Sequence, residues 1–271
     1  GDTVLVTDPG YPGYKPSIWF AGAEPYAVPM TAKNGFLPDL RSIPSDVARK
    51  ASAFYLNYPN NPTSAVANRK FLAELVEFAK SYDIALCYDN PYIDVVFDGA
   101  EPLSILSIPG ASDVAVELNS FSKWFNMTGW RLGMAMGNRT IIAAMSQVKS
   151  NTDSGVFNAI QYAGIKALRE CGATIGDMLQ VYARRRRKVV DTLNALGWKY
   201  TPPQGTFYLW VPTLGGKSSA EFAAELFEKA RIVVAPGSAY GQFGEGYVRF
   251  SLTVPDHRLD QAMERLRNAL G

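Results

Sequence analysis

The sequence predicts an α/β fold, a mostly parallel sheet covered on both sides by helices, followed by a smaller α+β unit. Three observations carry this expectation. Six short apolar runs read as strands: Val4–Thr7, Tyr26–Val28, Phe54–Asn57, Ile84–Tyr88, Val114–Leu118 and Leu132–Met136. Between two of them, Arg69–Lys80 places Phe71, Leu72, Leu75, Phe78 and Ala79 on one helical face, with Asn68 as N-cap. Continuously apolar strands separated by amphipathic helices belong to parallel sheets buried on both faces. The texture then changes near Gly172, which predicts a boundary between a unit at 1–172 and a second at 173–271.

In the second unit, Ile175–Leu196 carries a helical stripe of Leu179, Tyr182, Val189, Leu193 and Leu196. Short strands are expected around Trp198–Tyr200 and Thr206–Val211, a helix at about Ala220–Ala230, and strands at Ile232–Ala235 and Tyr247–Leu252. A last helix, Pro255–Leu270, buries Leu259, Ala262, Met263, Leu266 and Leu270.

Composition excludes several classes. The 271 residues are 47% hydrophobic and 19% charged, which describes an ordered globular protein. A net charge of +2 gives no reason to expect nucleic acid or an acidic membrane as partner, and no apolar run reaches the roughly 20 residues of a bilayer span. Two cysteines provide neither a disulfide framework nor zinc spacing, which points to a reducing compartment, the cytoplasm. Cys87 reads as a small core residue, and Cys171 has no assigned role. The single histidine, His257, lies in the first turn of an expected surface helix, which disfavours a Ser-His-Asp hydrolase. Four consecutive arginines, Arg184–Arg187, point around most of a helix and read as a solvated face, with Arg186 lying along the apolar stripe. Gly241–Gly246 is glycine-rich but opens no helix and reads as a turn. The chain enters a strand almost at once, which suggests a cut inside a larger domain.

The unusual polar residues collect where strands end: Asp8-Pro-Gly-Tyr11, Asn57-Tyr-Pro-Asn-Asn-Pro62, Asp89-Asn-Pro-Tyr92 and Asn119-Ser-Phe-Ser122. Open α/β sheets bind ligands outside the carboxyl ends of their strands. One cluster stands out. Ser120, Ser122 and Lys123 close the Val114–Leu118 run, and Arg131 heads the next. Two hydroxyls, a lysine and an arginine at one sheet edge suit an anion, and a lysine held away from water can lose its proton and attack a carbonyl.

This stretch, Asn119-Ser-Phe-Ser-Lys-Trp-Phe-Asn-Met-Thr-Gly-Trp-Arg131, resembles the pyridoxal-phosphate (PLP) attachment site of class I/II aminotransferases, the fold type I enzymes. The resemblance runs from about Gly1 to the C-terminus with the motifs in the family's order. It implies a three-layer large domain with one antiparallel strand, Leu132–Met136, and PLP as cofactor. Lys123 would hold PLP as a Schiff base, while Ser120, Ser122 and Arg131 would hold its phosphate. Asp89 would partner the pyridine nitrogen, Tyr92 and Asn61 would contact the ring oxygen, and Tyr11 would stack on the ring. Lys123, Asp89 and Tyr92 are thus the expected catalytic residues. Arg249, in Gly246-Tyr-Val-Arg-Phe-Ser-Leu252, would grip the substrate α-carboxylate beside Asn61, and Pro203–Trp210 would lie near the substrate. Ser64 departs from the pattern: it stands where the family has glycine.

The words Phe125–Arg131 and Asp153-Ser-Gly-Val-Phe-Asn-Ala-Ile-Gln161 are similar to LL-diaminopimelate aminotransferases and their relatives. The expected activity moves an amino group between an L-amino acid and a 2-oxo acid. Alternatives are a PLP-dependent carbon–sulfur β-lyase, or an aminotransferase-like sensor domain of a transcription regulator. Roughly the first hundred residues of a full family member have no counterpart here. They include a strand beside Leu132–Met136 and a tyrosine donated across a homodimer. The parent is expected to be an enzyme, and this segment alone to bind PLP poorly and turn over little. The expected open edge beside Leu132–Met136 is a pairing liability.

Overall fold

The computed structural model describes all residues 1–271. The first sheet has six strands: β1 (Thr3–Asp8), β2 (Glu24–Pro29), β3 (Ala51–Asn57), β4 (Ala85–Asp89), β5 (Ala115–Ser120) and β6 (Gly133–Gly137), ordered β2-β1-β3-β4-β5-β6. Every pairing is parallel except β5 with β6. β6 has β5 as its sole neighbour, so its outer edge is open, as expected. The second sheet, β7 (Tyr208–Pro212), β8 (Ala235–Pro236) and β9 (Tyr247–Ser251), is antiparallel in the order β7-β9-β8.

Eight α-helices lie between these strands and a ninth follows them: α1 (Tyr14–Phe20), α2 (Ser45–Ala48), α3 (Arg69–Tyr82), α4 (Phe121–Trp124), α5 (Arg139–Thr152), α6 (Asn158–Glu170), α7 (Gly172–Ala195), α8 (Ser219–Ala230) and α9 (Asp256–Leu270). Asn68 caps α3 by accepting from the Phe71 N–H. Alternation along the strands sorts the packing by face. Leu5, Phe54, Leu56 and Leu86 meet Phe71, Leu72 and Leu75 of α3, while Val4 and Val6 meet Tyr14 and Ile18 of α1. A second core joins Val189 and Leu193 of α7 to Leu209, Val248, Phe250, Phe222 and Leu259, and it also takes in Tyr92, Val95 and Phe97 from the loop after β4.

Some expected elements are displaced, each for a local reason. Trp198–Tyr200 is not a strand. Trp198 is buried by its side chain, with Nε1 donating to the Pro212 carbonyl, and no ladder forms. The Ile232–Ala235 run pairs only from Ala235. Its start completes the end of α8, where Arg231 turns left-handed at φ 54° and the Ile232 N–H bonds back to Leu226. The Thr206–Val211 run pairs only from Tyr208. Cys87 is half-buried, beside Tyr55, not fully in the core; burial raises its thiol to about 11. α1, α5 and α6 carry no counterpart in the expected pattern. α5 buries no residue, and Phe157 and Tyr162 next to it are exposed. No helix is long and apolar enough to cross a membrane.

Arg184 and Arg187 are exposed and Arg186 lies against apolar surface, as expected, while Arg185 is more buried than a solvated face would be. Arg184 and Arg185 both reach Asp256 at the start of α9, Arg185 also donates to the Leu252 carbonyl, and Arg186 lies over Phe97 while bonding Asp98 and the Pro203 carbonyl. Arg186 thereby joins α7 to the loop after β4.

Candidate active site

The carboxyl ends of β3, β4 and β5 lie side by side, and each delivers a functional group. Pairing puts Asn57 opposite Asp89 and Asp89 opposite Leu118, two residues before Ser120. A cavity of about 450 Å³ opens above these ends, walled by Tyr11, Pro12, Asn57, Asn61, Asp89, Pro91, Tyr92, Lys123, Tyr208, Tyr240 and Arg249. Six expected site residues, Tyr11, Asn61, Asp89, Tyr92, Lys123 and Arg249, are therefore gathered in one place. Ser120, Ser122 and Arg131 are not among its walls. Ser120 Oγ accepts from the Ser122 N–H as the cap of α4, and Ser122 is buried. Arg131 is exposed, with Nη1 donating to the Thr128 carbonyl.

Lys123, in α4 just past β5, makes neither a hydrogen bond nor an ion pair; its Nζ lies 5.8 Å from the centre of the Phe207 ring. Burial lowers its pKa, and the nearby Arg131 charge lowers it further. Both effects favour the neutral, nucleophilic amine.

Asp89 at the end of β4 is held on one side only. Tyr14 donates to Oδ2 at 2.5 Å, and burial raises the carboxyl to about 6 against the opposing pull of that bond. Tyr14 itself is buried, and desolvation followed by the Asp89 charge raises its hydroxyl well above the ordinary range. A carboxylate this short of partners suits a cationic ligand, which would restore its ionisation. Asn57 braces the arrangement: Nδ2 donates to the Asp89 carbonyl at 2.8 Å, and Oδ1 accepts from the Asn61 N–H at 2.7 Å.

On the facing wall, β9 presents Arg249. Its Nη1 donates to Asn61 Oδ1 at 2.6 Å, and its guanidinium carbon lies 3.9 Å from the Tyr208 ring centre and 5.0 Å from that of Tyr240. Arg249 Nε is buried and has no partner, a donor that a carboxylate would satisfy. The Tyr92 hydroxyl reaches only the Tyr208 hydroxyl, at 3.5 Å, and burial raises its pKa. Tyr11 stands half-exposed at the mouth, edge-on to Tyr14.

An amine without an acceptor, a carboxylate in need of a cation, and a guanidinium with a spare donor fit an aldehyde-bearing pyridinium and a carboxylate substrate. These residues suit PLP. Tyr14, Asn57 and Tyr240 escaped the sequence reading, whereas Tyr208 belongs to the Pro203–Trp210 segment expected near the substrate. Asn57 lay within a strand-end motif already singled out, and Tyr14 stands three residues after the motif that ends at Tyr11. Nothing in the glycine-rich stretch after Tyr240 marks that residue.

A buried carboxylate stands behind the site. Glu117 of β5, 1% exposed, accepts from Asn90 Nδ2 (3.2 Å), Ser104 Oγ (2.6 Å), the Ile105 N–H (2.9 Å) and Asn119 Nδ2 (3.0 Å). It pins the turn after Asp89 to the strand that leads to Lys123. Glu117→Ala removes an acceptor from four donors, of which Asn90 Nδ2 keeps the Leu103 carbonyl, and is expected to cost about 3–5 kcal/mol in urea unfolding, with Glu117→Gln costing less. A loss below about 1 kcal/mol would show that water replaces the carboxylate.

The model of the family described as aminotransferase class I and II matches residues 1–266. The LL-diaminopimelate aminotransferases of Moorella thermoacetica and Desulforudis audaxviator are each 51% identical over 271 residues, which is 100% of this chain and 70% and 69% of theirs. The solved aromatic aminotransferase of Pyrococcus horikoshii superposes with a TM-score of 0.94 at 35% identity, covering 100% of this chain and 73% of that one. The fold, the cavity at its strand ends and these likenesses agree: the chain belongs to the class I and II aminotransferases, enzymes that use pyridoxal 5'-phosphate to exchange amino groups between amino acids and 2-oxo acids.

Proposed function

We propose that the cavity bounded by Lys123, Asp89 and Arg249 is the transamination site and that its amino donor is LL-diaminopimelate. The observation that carries the site assignment is that the unpaired amine, the one-sided carboxylate and the guanidinium with a free Nε share one cavity of about 450 Å³. The donor assignment draws on the two relatives of that name at 51% identity.

PLP, when bound, supplies an aldehyde that condenses with amines and a ring that draws electrons from the substrate α-carbon. Asp89 would face its ring nitrogen and keep a proton there, braced by Tyr14. Tyr92 and the free Asn61 Nδ2 would donate to its ring oxygen, and Tyr11 would cover its face. Ser120, Ser122 and Arg131, outside the cavity's walls, are the residues that the family resemblance offers for the phosphate. Lys123 would hold the cofactor through its amine and, as a neutral base, would remove the α-proton of the substrate. Arg249 would orient the α-carboxylate through two parallel N–H donors. Residues 1–172 and 173–271 would act as the two domains that enclose the site, and a cytoplasmic homodimer is the expected assembly.

The test is transamination of LL-diaminopimelate with 2-oxoglutarate by the PLP-loaded protein, with a panel of other amino donors beside it. Arg249→Lys keeps the charge but loses the planar fork, so KM for donor and acceptor is expected to rise roughly 10- to 100-fold with a smaller change in kcat. An unchanged KM would remove Arg249 from the carboxylate site. A donor preferred over LL-diaminopimelate would correct the substrate and leave the site standing.

A further inference from the structure

Two non-glycine residues with left-handed backbone face each other beside the site: Ser64 at φ 62° and Thr206 at φ 61°. Both are fully buried, at 1% and 0% exposure. Positive φ is uncommon outside glycine and is an outlier for a β-branched residue, so each conformation must be held by its surroundings.

The holding contacts form a closed ring. Ser64 Oγ donates to the Tyr208 carbonyl at 2.7 Å, and the Ser64 and Thr206 hydroxyls are 3.1 Å apart. With its own proton committed, Ser64 Oγ accepts from Thr206, whose oxygen in turn accepts from the Tyr208 N–H at 3.1 Å. The Gly205 N–H bonds the Ser64 carbonyl, and a side chain at Gly205 would collide with Pro59, so the two segments lie in close contact. From Tyr208 the ring continues to the guanidinium of Arg249, thence to Asn61, and back along the chain to Ser64.

Building on Arg249 as the carboxylate clamp, we propose that Ser64 and Thr206 are positioning residues: their hydroxyl clasp holds Asn61 at a fixed distance from Arg249 and so sets the affinity for substrate carboxylates. A glycine at 64 would adopt this φ without strain but could not close the ring. The serine accepts an unfavourable backbone and returns two hydrogen bonds across 142 and 144 positions of sequence.

The experiment measures binding of 2-oxoglutarate to the PLP-loaded protein by calorimetry and, in parallel, thermal unfolding without cofactor. Ser64→Gly removes the hydroxyl and relieves the backbone together. Its affinity is expected to fall about tenfold while its unfolding midpoint shifts little, because the relieved backbone offsets part of the lost hydrogen bonding. Thr206→Val should lose affinity similarly, and Thr206→Ser should retain it. Wild-type affinity in both Ser64→Gly and Thr206→Val overturns the clasp, as does an equal loss in Thr206→Ser and Thr206→Val. Arg249→Gln separates the two levels: if it binds 2-oxoglutarate normally the clamp itself is misplaced, whereas its failure beside an unaffected Ser64→Gly rejects only the clasp.

Discussion

Alanine at position 123 is expected to abolish transamination, with proton transfer alone accounting for about 10²–10⁴-fold of the loss. The reason lies in how little holds the Lys123 amine. It has no carboxylate partner and no hydrogen bond, and burial and Arg131 both act to remove its proton. Such a group is poised to react, since a paired lysine would stay protonated. Lys123→Ala should also lose the visible band that marks a lysine-bound cofactor, measured by absorbance during PLP titration. Lys123→Arg keeps the charge and should be equally inactive, because a guanidinium is neither nucleophile nor base at neutral pH. Small added amines should restore part of the proton transfer to Lys123→Ala but not to Lys123→Arg, whose side chain fills the space. Turnover within about tenfold of the parent in either variant would place the chemistry on another residue.

The second large effect belongs to Asp89→Asn, and its sign reverses between stability and activity. A free aspartate titrates near about 3.9, whereas burial lifts Asp89 to about 6 in the cofactor-free protein. Below about pH 4 both the folded and the unfolded forms carry the neutral acid. Between about pH 4 and 6 the unfolded chain ionises first, so stability falls as pH rises through that window and stays lower above it. Asparagine copies the neutral acid. It is therefore expected to raise the cofactor-free unfolding midpoint at about pH 7.5 and to leave it unchanged at about pH 4. Activity should move the other way, falling about 10²–10³-fold, because an amide cannot hold a positive ring nitrogen. Melting curves at both pH values, alongside kcat, check the two halves independently. A variant that is less stable at neutral pH would mean that the Tyr14 bond outweighs the burial of charge.

Much of the site was legible because its parts end strands. Asp89 and Lys123 follow apolar runs that can only be buried β-structure, and parallel neighbours end at the same edge of a sheet. Arg249 was legible from its wording within a strand, not from any physical pattern. What escaped depends on contacts between distant segments. Tyr14 heads a helix with no apolar period strong enough to announce it. Tyr240 enters the cavity because the Gly10 N–H bonds its carbonyl and because Asp8, fully buried, accepts from Lys15 and the Phe243 N–H, tying that loop to the end of β1. Ser64 looked like a mild departure in a loop. Only the folded chain brings it against Thr206. The ion pairs of the arginine run escaped for the same reason: its carboxylate partners, Asp98 and Asp256, lie 88 and at least 71 positions away.

The brace at Asn57 has a mechanical result. Because one side-chain amide grips the backbone of residue 89 through its nitrogen and that of residue 61 through its oxygen, thermal displacement of the sheet's end carries both together. The spacing between residues 61 and 89 is thereby held nearly constant. Residue 61 in turn accepts from the Arg249 guanidinium, so the same amide ties the β9 wall to the end of β4 through a single intermediary.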